Sequence, residues 1–227
     1  MPTIRQWHIR ARLLLDKVDS KAVPSFETNE MDDFFNMAIK RYVLSRYKEF
    51  EVNQRRTDDL RGLVKEVNIS RDSPSLSLYP NADSYTLPVD YMFSISERPL
   101  ISSYKNSCGN TVTNKIGYLR AIQHDDFEKL LKDPFNKPQE KEVLRLIQSN
   151  KIILVHDENT VLSDLVLSYI KNPIEVQLDL EDENNSINSD MPEHTHDEII
   201  QLAVQIILET ISDPRFQTNS ILVAEQK

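Results

Sequence analysis

The sequence predicts an α+β fold in which N- and C-terminal helices form a helical bundle and an antiparallel β subdomain is inserted between them. Helical periodicity appears near both ends of the chain, and short strand-like runs fill the middle. An acidic stretch with little apolar content precedes the last helix. The predicted domains are N-terminal helices (1–66), the β subdomain (75–178), an acidic linker (179–193), a C-terminal bundle helix (194–216) and a tail (217–227).

The first predicted helix covers residues 3–18. Apolar residues recur there at spacings of three and four, with arginines between them: Ile4, Trp7, Ala11, Leu14 and Val18. Two interpretations stay open, because the pattern is too short to establish a heptad repeat. The helix packs on its own domain, or it forms a coiled-coil seam with a partner.

The second helix has the clearest pattern in the sequence. Apolar residues from Met31 to Phe50 share one face, and charged residues occupy the other. Asn29 is the predicted N-cap, with Asp32 and Asp33 near the positive end of the helix dipole. A further short helix is predicted over residues 58–64.

Strands are predicted where aromatic and aliphatic runs alternate with Pro, Asn and Asp. The runs are residues 76–79, 85–87, 91–95, 100–104, 111–122, 143–147, 152–156 and 161–170, with a short acidic helix at 125–132. The last helix follows Pro192, with Thr195 as N-cap and Glu198 three positions later. It is apolar around most of its circumference, so we expect other elements to surround it.

Composition excludes several classes of function. Only three glycines occur, which argues against P-loop and Rossmann nucleotide sites, because those loops need several. One cysteine and the absence of a signal-peptide pattern predict a reducing cytosol. No apolar run reaches the roughly 20 residues that span a bilayer. The net charge of −9 argues against a general nucleic-acid or anionic-lipid surface.

No catalytic residue and no cofactor site is predicted. His194 and His196 lie between acidic residues, where a metal-dependent hydrolase would place ligands, but this spacing does not put both rings on one helical face. Cys108 lies in a predicted turn, and a free structural thiol explains it better than a nucleophile. We therefore predict no metal site and no enzymatic activity.

A mixed-charge patch is the candidate subunit interface. It consists of Arg55, Arg56, Asp58, Asp59 and Arg61. Such a patch is a solvated face in most proteins, since exposed charge pairs are individually weak. It also suits a subunit that meets an identical neighbour, and both interpretations remain open.

Five segments of the sequence resemble the neck ring proteins of crAss-like phages, which are head-to-tail connectors similar in role to the adaptors of other podoviruses. The segments are residues 27–43 (ETNEMDDFFNMAIKRYV), 53–64 (NQRRTDDLRGLV), 85–92 (YTLPVDYM), 169–173 (YIKNP) and 192–200 (PEHTHDEII). Their order matches the family over residues 26–216.

The resemblance implies a virion structural protein without catalytic residues. Its subunits would form a ring of about twelve copies, closed by rotation. The ring would bind the portal protein, other neck rings and tail proteins, and would surround the DNA channel without sequence-specific binding. It would assemble in the bacterial host cytoplasm, away from membranes. The alternative is a non-enzymatic module that binds a partner or a peptide, for example on a β edge.

Overall fold

A computed structural model describes residues 2–16, 26–72, 81–106 and 108–210 of the chain. The chain divides into two compact units. The first, which we call the split unit, combines residues 1–63 with residues 172–227. The second, the β unit, is the continuous segment 64–171. The predicted strand at 76–79 and the predicted tail at 217–227 lie outside the described residues.

The helices within the described ranges are α1 (Ile4–Asp16), α2 (Thr28–Tyr47), α3 (Gln54–Leu60), α4 (His124–Lys132) and α5 (His196–Thr210). Helices α1 and α2 both contact α5. The predicted periodicity identifies the buried faces, because Trp7, Phe35 and Ile207 are all fully buried. None of the described helices combines the length and apolarity needed to cross a membrane.

Three predicted helix boundaries are wrong. Helix α2 begins one residue after Glu27, which is its N-cap and shares a capping box with Glu30, so Asn29 lies inside the helix. Thr195 does not cap α5; it ends a short 3-10 turn and its hydroxyl donates to the Pro192 carbonyl. The helix predicted at 58–64 is replaced by α3 and a 3-10 turn, and Val64 begins a strand.

Residues 172–192, which we call the strap, contact α2 and form no α-helix, although Glu183–Asn185 make one 3-10 turn. Val176 and Leu178 are buried, and Gln177 pairs with Ile187 in an isolated β-bridge. Asn36 of α2 forms two hydrogen bonds with the strap's backbone. Its amide oxygen accepts from Val176 N at 2.8 Å, and its amide nitrogen donates to Val176 O at 3.2 Å. A side chain of α2 thus replaces the pairing strand that this segment lacks.

The β unit contains two sheets of four strands. The strands are β1 (Val64–Ser70), β2 (Ala82–Thr86), β3 (Tyr91–Lys105), β4 (Thr111–Ile116), β5 (Tyr118–Ala121), β6 (Glu142–Gln148), β7 (Lys151–Val155) and β8 (Thr160–Lys171). One sheet has the order β1-β8-β3-β4 and is curved into a half-barrel, and the other has the order β2-β7-β6-β5. The predicted strands 91–95 and 100–104 are one strand, β3, interrupted by bulges.

The core of the β unit follows strand alternation. In β7, Ile152 and Leu154 join the cluster shared by the two sheets, whereas Ile153 and Val155 face the opposite way. That second face packs against Phe127 of α4. The β unit is therefore layered as sheet, sheet and helix.

Gly117 marks the point where the chain passes from one sheet to the other. It separates β4 from β5, which the sequence predicts as one strand over 111–122. A Cβ at Gly117 would lie 3.1 Å from Lys141 O and 3.1 Å from the Pro99 ring, so the close approach of two backbones explains the glycine. Strand β5 then pairs with β6 in parallel, since α4 supplies the crossover that a parallel pair requires.

The predicted fold class, a helical bundle with an inserted antiparallel β subdomain, is therefore wrong. The β region is not one antiparallel subdomain, because it forms two sheets, one of them a half-barrel and the other containing a parallel pair. The terminal helices do not form a simple bundle either, because the strap, which has no α-helix, packs against α2. The correct description is an α+β chain of five helices within the described residues and two sheets.

Candidate functional site

Helix α3 carries the predicted interface residues. Arg55, Asp58 and Arg61 are exposed. The half-buried Arg56 donates from Nε to Glu49 Oε2 at 3.1 Å. We call Arg55, Arg56, Asp58 and Arg61 the α3 patch. These four side chains remain candidates for contact with a neighbouring subunit.

Asp59 differs from the rest of the predicted interface because it points into the split unit. It is only 3% exposed. Its Oδ2 lies 3.2 Å from Arg46 Nε, and its Oδ1 lies 3.0 Å from His194 Nε2. Asp59 therefore anchors α3 within its own chain, and it is not part of the exposed surface.

The buried Arg46 is the centre of a group that we call the charge network: Arg46, the buried Asp59, the partly buried Glu198 and the exposed His194. The guanidinium is 2% exposed, and its Nη2 lies 2.5 and 2.6 Å from the two carboxylate oxygens of Glu198. The Arg46 guanidinium also lies over the Tyr42 ring, 4.7 Å from its centre. Burial by itself would lower the pKa of Arg46, but Tyr42, Glu198 and Asp59 more than offset this and raise it.

The charge network joins three helical segments that are distant in sequence: α2, α3 and the start of α5. Buried ion pairs are stable only when geometry and hydrogen bonds offset the loss of hydration. Here one cation is shared by two carboxylates, and an aromatic face covers it. Because Arg46 and Asp59 are buried and pair with groups of other helical segments, the network positions these segments relative to one another.

His196 is held by a second buried chain of hydrogen bonds. Trp7 Nε1 donates to His196 Nδ1 at 3.3 Å, and His196 Nε2 lies 2.9 Å from the Met191 carbonyl oxygen. These partners require the neutral imidazole with its proton on Nε2. Burial lowers the pKa of His196, which favours the same neutral form.

His8 and Asp32 connect α1, α2 and the strap. His8 Nε2 lies 2.7 Å from Asp32 Oδ1, and Asp32 Oδ2 accepts from the backbone N–H of Leu178 at 3.0 Å. Asp32 was predicted on the charged face near the start of α2, but it is buried. It satisfies a strap N–H that would otherwise be buried without a partner.

The histidines singled out by the sequence do not converge. His194 faces Asp59, whereas His196 faces Trp7 and Met191. In the part of the chain that the structure describes, no three His, Cys, Asp or Glu side chains are grouped as metal ligands would be.

An open cleft of about 620 Å³ lies between the start of α2 and the strap. Phe26, Leu178 and Leu180 supply apolar surface, and Glu27, Asp179 and Glu181 supply carboxylates, with polar residues between them. Leu180 is 77% exposed at the rim. The arrangement suits an apolar segment that carries positive charge.

The β unit also contains polar pairs. Arg145 Nη1 of one sheet contacts Glu97 Oε1 of the other at 2.7 Å. His156 Nε2 lies 3.4 Å from Asp83 Oδ2, and its Nδ1 lies 2.8 Å from the Asp157 carbonyl oxygen. Burial alone would lower the pKa of His156, but the hydrogen bonds and charges of Asp83 and Asp157 raise it.

Sequence reasoning missed Arg46 and Asn36 as organising residues. Arg46 follows Tyr42 by four positions and Ile39 by seven, so helical spacing places it on the buried face of α2. A charged residue at such a position indicates a buried partner. Asn36 has no comparable signal, because an amide on a helix gives no information about a strap 140 residues away.

These features define a class: a two-unit α+β protein whose buried ionisable groups hold its own segments together, with an open, acidic and partly apolar cleft at its surface. Residues 13–219 match the family described as phage tail ring protein 3/4, whose family name refers to the crAss phages. The match covers most of the chain, so the chain belongs to this family of crAss-like phage ring proteins. The predicted resemblance is confirmed. No curated protein matches the sequence.

Membership of the family fixes the coarse function. The chain is a structural component of a phage tail ring, and its place is in the virion. Its partners are other copies of itself and other tail components.

Proposed function

We propose that this protein is a subunit of a ring in the phage neck that links the portal to the tail around the DNA channel. The family match over residues 13–219 is the observation that carries the proposal. Subunits meet head to tail and close by rotation into a ring of about twelve copies. The ring assembles in the bacterial host cytoplasm on the portal and then receives the tail proteins.

Charge supports a channel that does not retain DNA. The chain has a formal net charge of −9, and the strap alone contains six carboxylates and no lysine or arginine. Negative surface repels the phosphate backbone, so passing DNA meets no sequence-specific binding site. This charge suits a conduit better than a DNA-binding subunit.

The four exposed or half-buried residues of the α3 patch contact the neighbouring subunit in this proposal, and Asp59 holds α3 in position for them. Individual exposed ion pairs contribute only about 0–1 kcal/mol. The patch therefore sets the orientation of the neighbour, and apolar surface elsewhere must supply most of the affinity.

The test is to mix the purified protein with the portal protein of its phage, and to measure mass by native mass spectrometry and symmetry by negative-stain imaging. A closed ring docked on the portal is expected. Arg61→Glu is expected to weaken assembly, and Lys48→Glu, an exposed charge outside the patch, is its matched control. A protein that stays monomeric alone and with portal and tail proteins would refute the proposal.

A protein that ignores the portal but binds one short peptide with a fixed affinity would instead identify a peptide-binding module. Isothermal titration calorimetry with peptides from the tail proteins distinguishes this outcome from ring assembly, because a module saturates at one peptide per chain.

A further inference from the structure

Helix α1 exposes apolar side chains on the side that faces away from its own unit. Ile9 and Leu13 are 52% and 63% exposed. They lie four residues apart and therefore on one face. Trp7, Ala11 and Leu15, on the opposite face, are buried. The pair Ile9 and Leu13 is consequently directed away from the buried face of α1.

Positive charge surrounds this pair. Arg5, Arg10 and Arg12 lie in α1, and Asp16 at its last position is the only acidic residue of the helix. Arg10 forms an ion pair with Asp197 of the same chain. Arg5 and Arg12 are exposed on the flank beside Ile9 and Leu13. The outer face of α1, which we call the α1 face (Arg5, Ile9, Arg12 and Leu13), is apolar at its centre and basic at its edge.

The cleft between α2 and the strap has the complementary character. Leu178 forms part of its apolar lining, and Phe26 packs edge-on against Phe34 with ring centres 5.6 Å apart. The exposed Leu180 stands at the rim beside Asp179 and Glu181. The cleft has an apolar centre with carboxylates at its edge, and the α1 face has an apolar centre with guanidinium groups at its edge. The two surfaces are therefore complementary.

The cleft is already formed in the single chain, so docking requires little ordering. The strap is fixed to α2 through Asn36 and Asp32, and its two arms are joined by the bridge between Gln177 and Ile187. A preorganised site loses less conformational entropy on binding than a mobile one.

We propose that the α1 face of one subunit docks in the acidic cleft of the next subunit, with Ile9 and Leu13 against Phe26 and Leu180 and with Arg12 near Asp179 and Glu181. The proposal deepens the ring function and rests on it. The occupant is a second copy of this chain, because a ring protein must present two different complementary surfaces, and charge and apolarity match these two to each other. Such a contact is heterologous, so each copy uses one surface on each side and the series closes into a ring.

The first test uses two variants with one defective surface each. Leu13→Glu places a carboxylate in the α1 face, and Leu180→Glu places one in the cleft. Both positions are exposed, so the thermal unfolding midpoint should match the wild type. Each variant alone is expected to lose the ring in native mass spectrometry. Leu44→Glu, at a residue 47% exposed on α2 and outside both surfaces, is the matched control and should keep it.

Mixing the two defective variants gives the sharper result. The Leu13→Glu copy retains its cleft and the Leu180→Glu copy retains its α1 face, so one intact contact can form between them. The expected product is a one-to-one dimer that cannot extend. A two-fold contact between α1 helices would instead let Leu180→Glu copies associate with one another as the wild type does, and that outcome overturns the proposal.

Disulfide trapping tests the same pairing directly. In a Cys108→Ser background, which removes the only native cysteine, Leu13→Cys with Leu180→Cys should give a ladder of cross-linked copies under oxidising conditions. The two single-cysteine variants mixed together should stop at dimers. A cross-link within one chain would show that the cleft is filled by the same copy and would overturn the proposal.

The controls separate this inference from the function on which it rests. If the wild type forms a ring and both glutamate variants still form it, the α1 contact is refuted while the ring function stands. If the wild type remains monomeric even with portal and tail proteins, the ring function is refuted. The proposed contact between the α1 face and the cleft is then refuted as well.

Discussion

The two units of this protein hold distant segments together by different physical means. The split unit joins its parts through buried polar contacts, such as Arg46 with Glu198 and Asn36 with Val176. The β unit relies mainly on the apolar residues that two sheets share, with Leu165 and Leu167 fully buried. Polar contacts are directional and apolar contacts are not, so the split unit fixes the orientation of its segments more strictly. A subunit that must match a neighbour benefits from that strictness.

The largest expected effect is that of Arg46→Met. The change leaves Asp59 and Glu198 without their buried cation, and breaking a buried pair typically costs about 3–5 kcal/mol. Trp7 is the only tryptophan and lies in the split unit, so its fluorescence during denaturant unfolding reports on that unit. Arg41→Met is the control, because Arg41 forms an exposed pair with Glu209 and should cost less than about 1 kcal/mol.

The same variant also tests whether the two units are stabilised independently of each other. We expect amide exchange in β7 and β8 to be unchanged in Arg46→Met, while exchange in α2 and α5 rises. Equal acceleration in both units would mean that they unfold together, and the contrast between their stabilising forces would then have no separate thermodynamic meaning.

Leu165→Ala is the counterpart in the β unit. Leu165 is fully buried between the sheets, and removing its side chain should cost about 3 kcal/mol through lost burial and the cavity left behind. Val161→Ala in the same strand is the control, since Val161 is exposed and should change stability by less than about 0.5 kcal/mol. Hydrogen exchange of the β8 backbone amides measures the change in stability for both variants. A loss at Leu165 no larger than that at Val161 would contradict the shared core.

Asn36→Ala should have an intermediate effect confined to the strap. It removes both hydrogen bonds to Val176 and leaves a backbone N–H and a carbonyl unsatisfied, which costs about 1–3 kcal/mol. Exchange at Val176 and Leu178 should accelerate before the rest of the split unit does. Asn184→Ala, which removes only the local side-chain bond from Asn184 Nδ2 to Asp182 Oδ1, is the control. Equal effects from the two variants would show that Asn36 does not anchor the strap.

The smallest expected effects are those of pH, and they have opposite signs in the two units. The pKa of His156 is raised, so its contribution to the β unit is full below the unfolded value near 6.5 and is lost as pH rises through the folded value. The pKa of His196 is lowered, so the split unit loses stability as pH falls below about 6.5.

NMR titration of the two imidazole rings measures these pKa values directly. The variant His156→Gln should abolish the rise in β-unit stability on acidification while leaving the split unit's pH dependence intact. Shifts of the same sign in both histidines would contradict the assignment.

Periodicity in the sequence predicted the positions of most helices and most strands along the chain, because a buried face repeats every 3.6 residues in a helix and every two residues in a strand. It could not predict which strands pair. The passage at Gly117 from one sheet to the other and the parallel β5–β6 pair depend on contacts between distant segments, so the predicted antiparallel subdomain is wrong. Of the strap, residues 172–178 were predicted as the end of the β subdomain and the rest as an acidic linker, since nothing in the sequence shows that the segment's partners lie on α2.

The candidate interface shows the same limit. Composition located the charged residues of α3, but only the fold separates the inward Asp59 from the outward Arg55, Asp58 and Arg61. The α1 face was not recognised, because the seam that the sequence left open runs through Ile4, Trp7 and Ala11, which are buried in the split unit. The cleft that complements it required the folded strap.

The split of one unit between the two ends of the chain sets an order of events during synthesis. Residues 64–171 leave the ribosome as a complete β unit, whereas Arg46 and Asp59 must wait for Glu198. At about 5–20 residues per second, residues 172–210 take roughly two to eight seconds to make. Until residues 172–192 have been made the strap is incomplete, and the cleft that would receive another subunit does not exist. Nascent chains on one polysome therefore cannot offer that cleft to one another before the strap has been made.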